Sequence, residues 1–301
     1  MTRGQMQGWV VMVTGANGDM GRVIATDLAR QGATVVLVVR RRDQGEALQR
    51  EIVVATGNTG VDFLVADLAD QTAIRGLVDA FHERYTRLHV LINNAGAHLQ
   101  EHKLSVDGVE MHLAVNHLAW FLLTNLLLDT LKASAPARVV NVASQAMADT
   151  RRIAFIGPPR PATLELDDLQ SERHFEPMQV YARSKLAMVM CGYALARRLE
   201  ETGVTVNALH PGLVATGIVE DIAPRIAKPF LGLVRLFLLS PEKGAGTAIY
   251  LASAAEVEDV TGKYFVNQSE HRSPDVSYDI SVQEQLWQAS VALVSLTELK
   301  I

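Results

Sequence analysis

One cysteine stands among 301 residues. A lone cysteine forms no internal disulfide, and Cys191 falls in an apolar helical rhythm, so it reads as a buried structural thiol of a reducing compartment. A basic surplus is also lacking: 28 Lys and Arg against 33 Asp and Glu leave a net charge of −5, which argues against nucleic acid or an anionic membrane as partner. Arg40-Arg41-Arg42 is the one tight basic run. No apolar stretch is both long and uninterrupted. Leu113–Leu131 is broken by Asn116, His117, Asn125 and Asp129, so a buried core helix is expected there, and Phe230–Leu239 is too short to span a bilayer. The first apolar run begins at Trp9 and meets a glycine turn by Gly15, too soon for a secretory leader. His98, His112, His117 and His210 lack metal-ligand spacing, so no metal is expected. The sum is a soluble, cytoplasmic chain, 49% hydrophobic and able to bury a sizeable core.

What is present alternates. Apolar runs at Trp9–Val13, Thr34–Val39, Val61–Val65, His89–Ile92, Arg138–Val142 and Val204–Leu209 read as strands. Helical segments fall between them: the turn at Gly15 to about Arg30, Gln44–Val54, Thr72–Tyr85, Leu104–Leu131 and Val180–Leu199, with a further helix starting at Pro241 and a closing one at Ser281–Leu299. Strands apolar throughout, alternating with helices, predict an α/β fold: one doubly wound, mainly parallel sheet with helices on both faces, over a single domain of residues 1–301. Ligands of such sheets bind at the carboxyl ends of the strands. Residues 146–177, with Pro158, Pro159 and Pro161, are long for a connection and are expected to border the substrate. Residues 214–240 are expected to form a lid. Ile153, Phe155, Ile156, Phe230 and Leu233 in these segments favour an apolar guest, although such residues also serve ordinary packing.

Two motifs carry chemistry. Thr14-Gly15-Ala16-Asn17-Gly18-Asp19-Met20-Gly21 lies between a strand and a helix, the context a dinucleotide fingerprint requires. Glycines permit close backbone approach, and the helix N-terminus offers N–H groups to a pyrophosphate. Asp19 reads either as the helix cap or as a charge crowding the phosphates; the cap is favoured because Gly18 supplies a close approach one residue earlier. Arg40 ends the second strand, where an arginine accommodates the 2′-phosphate of NADP; Arg41 and Arg42 read equally as a solvated turn. Second, Tyr181-Ala182-Arg183-Ser184-Lys185 puts a tyrosine and a lysine on one helix face. A tyrosine of pKa about 10 needs help to carry protons near neutrality, and a fixed ammonium beside it would lower that value.

With these residues in order, the chain resembles the short-chain dehydrogenase/reductases, single-domain Rossmann folds, from about Gly8 to its end. Asp67-Leu68 stands where that family contacts adenine. Asn93-Asn94-Ala95-Gly96 follows the fourth strand, Asn116 lies in the long helix, and Ser144 sits at the catalytic serine position after Asn141-Val142-Ala143. In Pro211-Gly212-Leu213-Val214-Ala215-Thr216, Val214 and Thr216 match residues that touch the nicotinamide amide. Arg40, Val115-Asn116-His117-Leu118, Leu209-His210-Pro211-Gly212, Gly262-Lys263-Tyr264-Phe265 and Leu286-Trp287 resemble the retinol-dehydrogenase-like branch. The resemblance implies an NADP(H)-dependent carbonyl reductase or alcohol dehydrogenase, with Tyr181 as general acid/base, Ser144 orienting the oxygen, Lys185 on the nicotinamide ribose and Asn116 anchoring a relay water. The cofactor set it implies is Gly15, Asn17, Gly18, Asp19, Met20, Gly21, Arg40, Asp67, Leu68, Asn93, Ala95, Gly96, Tyr181, Lys185, Pro211, Val214 and Thr216. A homodimer or homotetramer through the long helix and the Tyr/Lys helix is further implied, unless the closing helix blocks one surface. The glycine spacing leaves a nucleotide-sugar epimerase or dehydratase open, and the fold alone leaves open a non-catalytic NADP-binding protein.

Overall fold

The six apolar runs become neighbouring strands: β1 (Val10–Thr14), β2 (Thr34–Val39), β3 (Val61–Val65), β4 (Val90–Asn93), β5 (Ala137–Val142) and β6 (Val204–Leu209). Two short strands, β7 (Tyr264–Val266) and β8 (Ser269–His271), complete an eight-stranded sheet in the order β3-β2-β1-β4-β5-β6-β7-β8. Pairing is parallel throughout except between β7 and β8. Strand order reverses between β1 and β4, which opens a crevice at their carboxyl ends. The computed structural model describes residues 5–151, 160–214 and 238–296.

The helices are α1 (Asp19–Arg30), α2 (Arg42–Thr56), α3 (Gln71–His82), α4 (Ala119–Leu126), α5 (Leu128–Ala133), α6 (Pro177–Arg198), α7 (Pro241–Ser253) and α8 (Ile280–Leu293). Side chains alternate across a strand, so a sheet apolar on both faces needs cover on both. Val11, Val13, Val35, Leu37, Val90 and Ile92 pack with the apolar residues of α1, α2 and α7. Met12, Val36, Val38, Leu91 and Val139 pack on the other side with those of α3, α4, α6 and α8. Local chemistry starts several helices. Asp70 caps α3 by accepting from Thr72 and Ala73 N–H, and Glu176 caps α6 by accepting from Gln179 N–H at 2.9 Å. Pro177 takes the first turn of α6, where its missing N–H costs nothing.

The long helix departs from the expected Leu104 start. Leu104 instead bridges Glu110 across a turn in which Gly108 takes φ +74° and the Ser105 hydroxyl accepts from Asp107 and Val109 N–H. The buried Glu110 carboxylate then accepts from His112 and Leu113 N–H and opens the helix there. Its next stretch, Leu113–Leu118, is a π-helical turn that contains Asn116. The closing helix ends at Leu293, short of the expected 299. Among the described residues no helix is long and apolar enough to cross a membrane, and no group of three or more His, Cys, Asp or Glu could hold a metal. Cys191 is free and fully buried, and burial raises its thiol pKa.

Trp287 docks α8 onto the core. It is 2% exposed, meets Phe121 edge-on at 4.7 Å and lies under the Arg198 guanidinium at 4.2 Å. Trp287→Ala should cost about 3–5 kcal/mol of stability, read as a lowered urea midpoint.

Candidate active site

The first turn is built around Thr14. Its hydroxyl donates to Ile92 O at 3.3 Å and accepts from Asn94 and Ala95 N–H at 3.0 and 3.1 Å. The Asn94 amide donates to Thr14 O and Gly15 O at 2.9 and 3.2 Å. The end of β1 and the end of β4 are thus tied into one floor. Gly15 takes φ +61°, and a Cβ there would come within 2.9 Å of Ala95 Cα. A Cβ on Gly21 would fall 2.2 Å from Gly15 O, so α1 approaches the turn as only glycine allows.

The cap of α1 corrects the sequence reading. Gly18 occupies the cap position, because its carbonyl accepts from Arg22 N–H at 2.9 Å; Asp19 is the first helical residue. Gly18 has no side chain to offer, so no side-chain cap satisfies the first-turn N–H groups. Gly18 and Asp19 are exposed. An open helix N-terminus backed by a glycine floor fits the pyrophosphate of a dinucleotide. Asn17 bonds Gln44 at 3.2 Å, and Met20 is buried. Arg40, at the end of β2, is exposed and makes no ion pair among the described residues, whereas Arg41 pairs with Asp43 at 2.9 Å and Arg42 lies over the Phe63 ring. Asp67 is exposed with its carboxylate on Ala69 N–H, and Leu68 is buried beneath it.

Asn93, expected at the cofactor, turns its side chain into the core and donates to Asn141 at 2.8 Å. Asn94 and Ala95, which follow it, give their N–H groups to the Thr14 hydroxyl. Gly96 sits where a Cβ would meet Lys185 Nζ at 3.3 Å and Asn116 Oδ1 at 3.4 Å. Pro211 and Gly212 follow β6, and the buried Val214 bridges Leu239. Thr216, and residues 215–237 of the expected lid, lie outside the described residues, as do Ile153, Phe155 and Ile156.

Tyr181, Ser144, Lys185 and Asn116 do come together. Ser144 follows β5, and its hydroxyl accepts from Ala146 N–H at 3.2 Å. Burial raises the Tyr181 pKa, and the nearby Ser144 hydroxyl opposes the rise. Lys185 does not produce the lowering that its spacing implied. Its ammonium donates to Val142 O at 2.9 Å, and burial pulls its own pKa down to about 8. The Asn116 amide is occupied: Oδ1 accepts from Ala97 N–H at 2.7 Å, and Nδ2 donates to Ala97 O and Ser184 Oγ.

Three working residues carried no sequence signal beyond their place beside a motif. Arg183, inside the Tyr/Lys motif, ties α6 to the preceding loop through Thr163 O, Asp168 O, Ser171 and Glu165. His112 donates to Glu110 at 2.7 Å and accepts from Leu99 N–H at 2.9 Å. His98 packs against the Tyr181 ring at 5.4 Å.

The depressed pKa of Lys185 has a sign. Unfolded lysine titrates near 10.5 and the folded one near 8. Below about pH 8 both states are protonated and burial of the charge costs stability in full; from 8 to 10.5 the unfolded state binds more protons, so stability recovers as pH rises. Lys185→Met should therefore melt above wild type at pH 7, with the gap closing toward pH 10 in thermal scans at both values.

Residues 9–154 match the short chain dehydrogenase family, and residues 157–267 match a second family described as enoyl-(acyl carrier protein) reductase. Retinol dehydrogenase 14 of Homo sapiens is 41% identical over 308 residues, spanning 97% of this chain and 88% of that protein. Polyprenol dehydrogenase of Homo sapiens is 39% identical over 300 residues, spanning 97% and 87%. The solved structure of an uncharacterized protein from Mycobacterium paratuberculosis superposes with a TM-score of 0.76 at 29% identity, covering 98% of this chain and 96% of that one. The two named relatives are dehydrogenases, so the nucleotide-sugar epimerase or dehydratase raised by the glycine spacing is not favoured. The chain belongs to the short-chain dehydrogenase family and is an NAD(P)-dependent oxidoreductase similar to the retinol dehydrogenases.

Proposed function

We propose that the protein interconverts a carbonyl and an alcohol on a small molecule with an apolar body, using NADP(H) in preference to NAD(H). The observation that carries this reading is the buried Tyr181, whose pKa the Ser144 hydroxyl after β5 lowers against burial, on the helix that also carries Lys185. The relatives named for retinol and polyprenol support an alcohol or aldehyde on an apolar body.

A nicotinamide held at this crevice would supply or accept the hydride. In reduction Tyr181 gives its proton to the carbonyl oxygen; in oxidation it takes the proton back. Burial keeps that hydroxyl protonated until an oxygen with developing negative charge draws the proton away. Ser144 hydrogen-bonds the same oxygen and shares its charge. Lys185, beside Gly96 and held on Val142 O, would bind the ribose. Asn116 acts by clamping Ala97 and Ser184, which keeps this corner in register. The guanidinium of Arg40, exposed and without an ion pair among the described residues, is available to a 2′-phosphate in a bidentate bond.

Pairing of copies as a homodimer or homotetramer through α6 would have to work around α8, which covers that helix through Trp287 and the Arg197 and Arg198 ion pairs with Glu284.

Tyr181→Phe should keep NADPH binding and lower kcat by about 10²–10⁴; near-wild-type turnover in a carbonyl assay would exclude Tyr181 as the acid. Arg40→Ala should raise KM for NADPH and leave KM for NADH nearly unchanged. Parallel movement of both constants in steady-state kinetics would contradict the reading of Arg40.

A further inference from the structure

His98 is 6% exposed, yet neither of its ring nitrogens has a hydrogen-bond partner among the described residues. Among the described residues no other histidine has both nitrogens buried and unpaired. Its neighbour His112, equally sheltered, is satisfied on both sides by Glu110 and Leu99 N–H. Leaving a buried polar group unpaired costs about 1–3 kcal/mol, so such a group calls for an explanation. A hydrophobic residue would fill the same space without that cost.

The surroundings hold His98 in place. His112 fixes the backbone of the adjacent Leu99, and Glu110 fixes His112. The His98 ring lies between His112 at 5.6 Å and Tyr181 at 5.4 Å, near-perpendicular to both. Burial and His112 hold its pKa down to about 4. It is therefore a neutral imidazole near neutral pH, with one donor and one acceptor. Tyr181 is 5% exposed, so the two rings are sheltered alike and lie side by side.

A carbonyl oxygen has two lone pairs. Tyr181 and Ser144 take both in the site assigned above, and nothing on that oxygen remains for His98. We propose that His98 is a specificity-determining residue that hydrogen-bonds a second oxygen of the substrate, carried on the carbon next to the reacting carbonyl. A hydroxyl there can give to the acceptor nitrogen of the ring or receive from its donor. The substrate class is thus an α-hydroxy ketone or aldehyde on an apolar body, and in the reverse direction a vicinal diol. In reduction the carbonyl carbon gains the hydride from NADPH, its oxygen gains the Tyr181 proton, and the second oxygen is unchanged. This inference rests on the assignment of Tyr181 and Ser144 to the reacting oxygen.

The test compares kcat/KM for octan-2-one and 3-hydroxyoctan-2-one with NADPH, in the wild-type protein, His98→Leu and His98→Gln. The ratio within one sample cancels its fraction of active protein, so a partly folded variant still reports. Wild type should prefer the hydroxy ketone by about tenfold or more. His98→Leu should bring the ratio close to one, and His98→Gln, which keeps a donor and an acceptor, should restore part of the preference. No preference in wild type, or a preference that survives His98→Leu, would overturn the role of His98. Turnover of neither ketone by wild type, with Tyr181→Phe indistinguishable from it, would overturn the site assignment and this inference with it.

Discussion

The Thr14 hydroxyl makes three hydrogen bonds, one given and two received, which is all a hydroxyl can make. Those bonds join two loops that follow strands far apart in sequence. One loop carries the glycine turn and the start of α1; the other carries Asn94, Ala95 and Gly96 on the way to the catalytic corner. If either loop shifted, a donor or acceptor at the end of the sheet would be left unpaired. The geometry at the strand ends is therefore over-determined, and the absence of a Cβ at Gly15 and Gly21 lets the backbones come as close as those bonds demand.

A second polar seam runs below this floor. Asn93 bonds Asn141 across β4 and β5, and Asn116 bonds both sides of Ala97 and then Ser184 on α6. The π-helical turn at Leu113–Leu118 makes this reach possible by locally widening the helix that carries Asn116. Together the two seams run from β1 through β4 and β5 to α6. They place Ser144, Tyr181 and Lys185 relative to the cofactor crevice with few degrees of freedom.

Much of this was legible in the sequence, and the exceptions have physical reasons. The six strands, most helices and the Tyr181/Lys185 face follow from apolar periodicity. Strands β7 and β8 are three residues each, too short for any period to show. The π turn is invisible because apolar spacing runs through it unbroken. Asp19 has the chemistry of a cap, but the first helical carbonyl belongs to Gly18, a matter of one residue that composition cannot decide. Spacing put Lys185 on the Tyr181 face of the helix; only the fold shows its ammonium drawn to Val142 O. Asn93 and Asn94 read alike in sequence, yet one turns inward and the other holds the glycine turn. His98 gave no sign because an orphaned imidazole is a property of its neighbours.

The burial of α6 has a bearing on time. From Val180 to Ala196 every residue of that helix is buried, with the sheet beneath and α8 above. A helix packed this way has no edge from which to fray, so its amides open only with the molecule as a whole. Tyr181 and Lys185 therefore sit in a well-protected part of the fold. Whatever motion admits a small molecule and releases it has to come from elements around the helix, while Tyr181 and Lys185 stay where the core has set them.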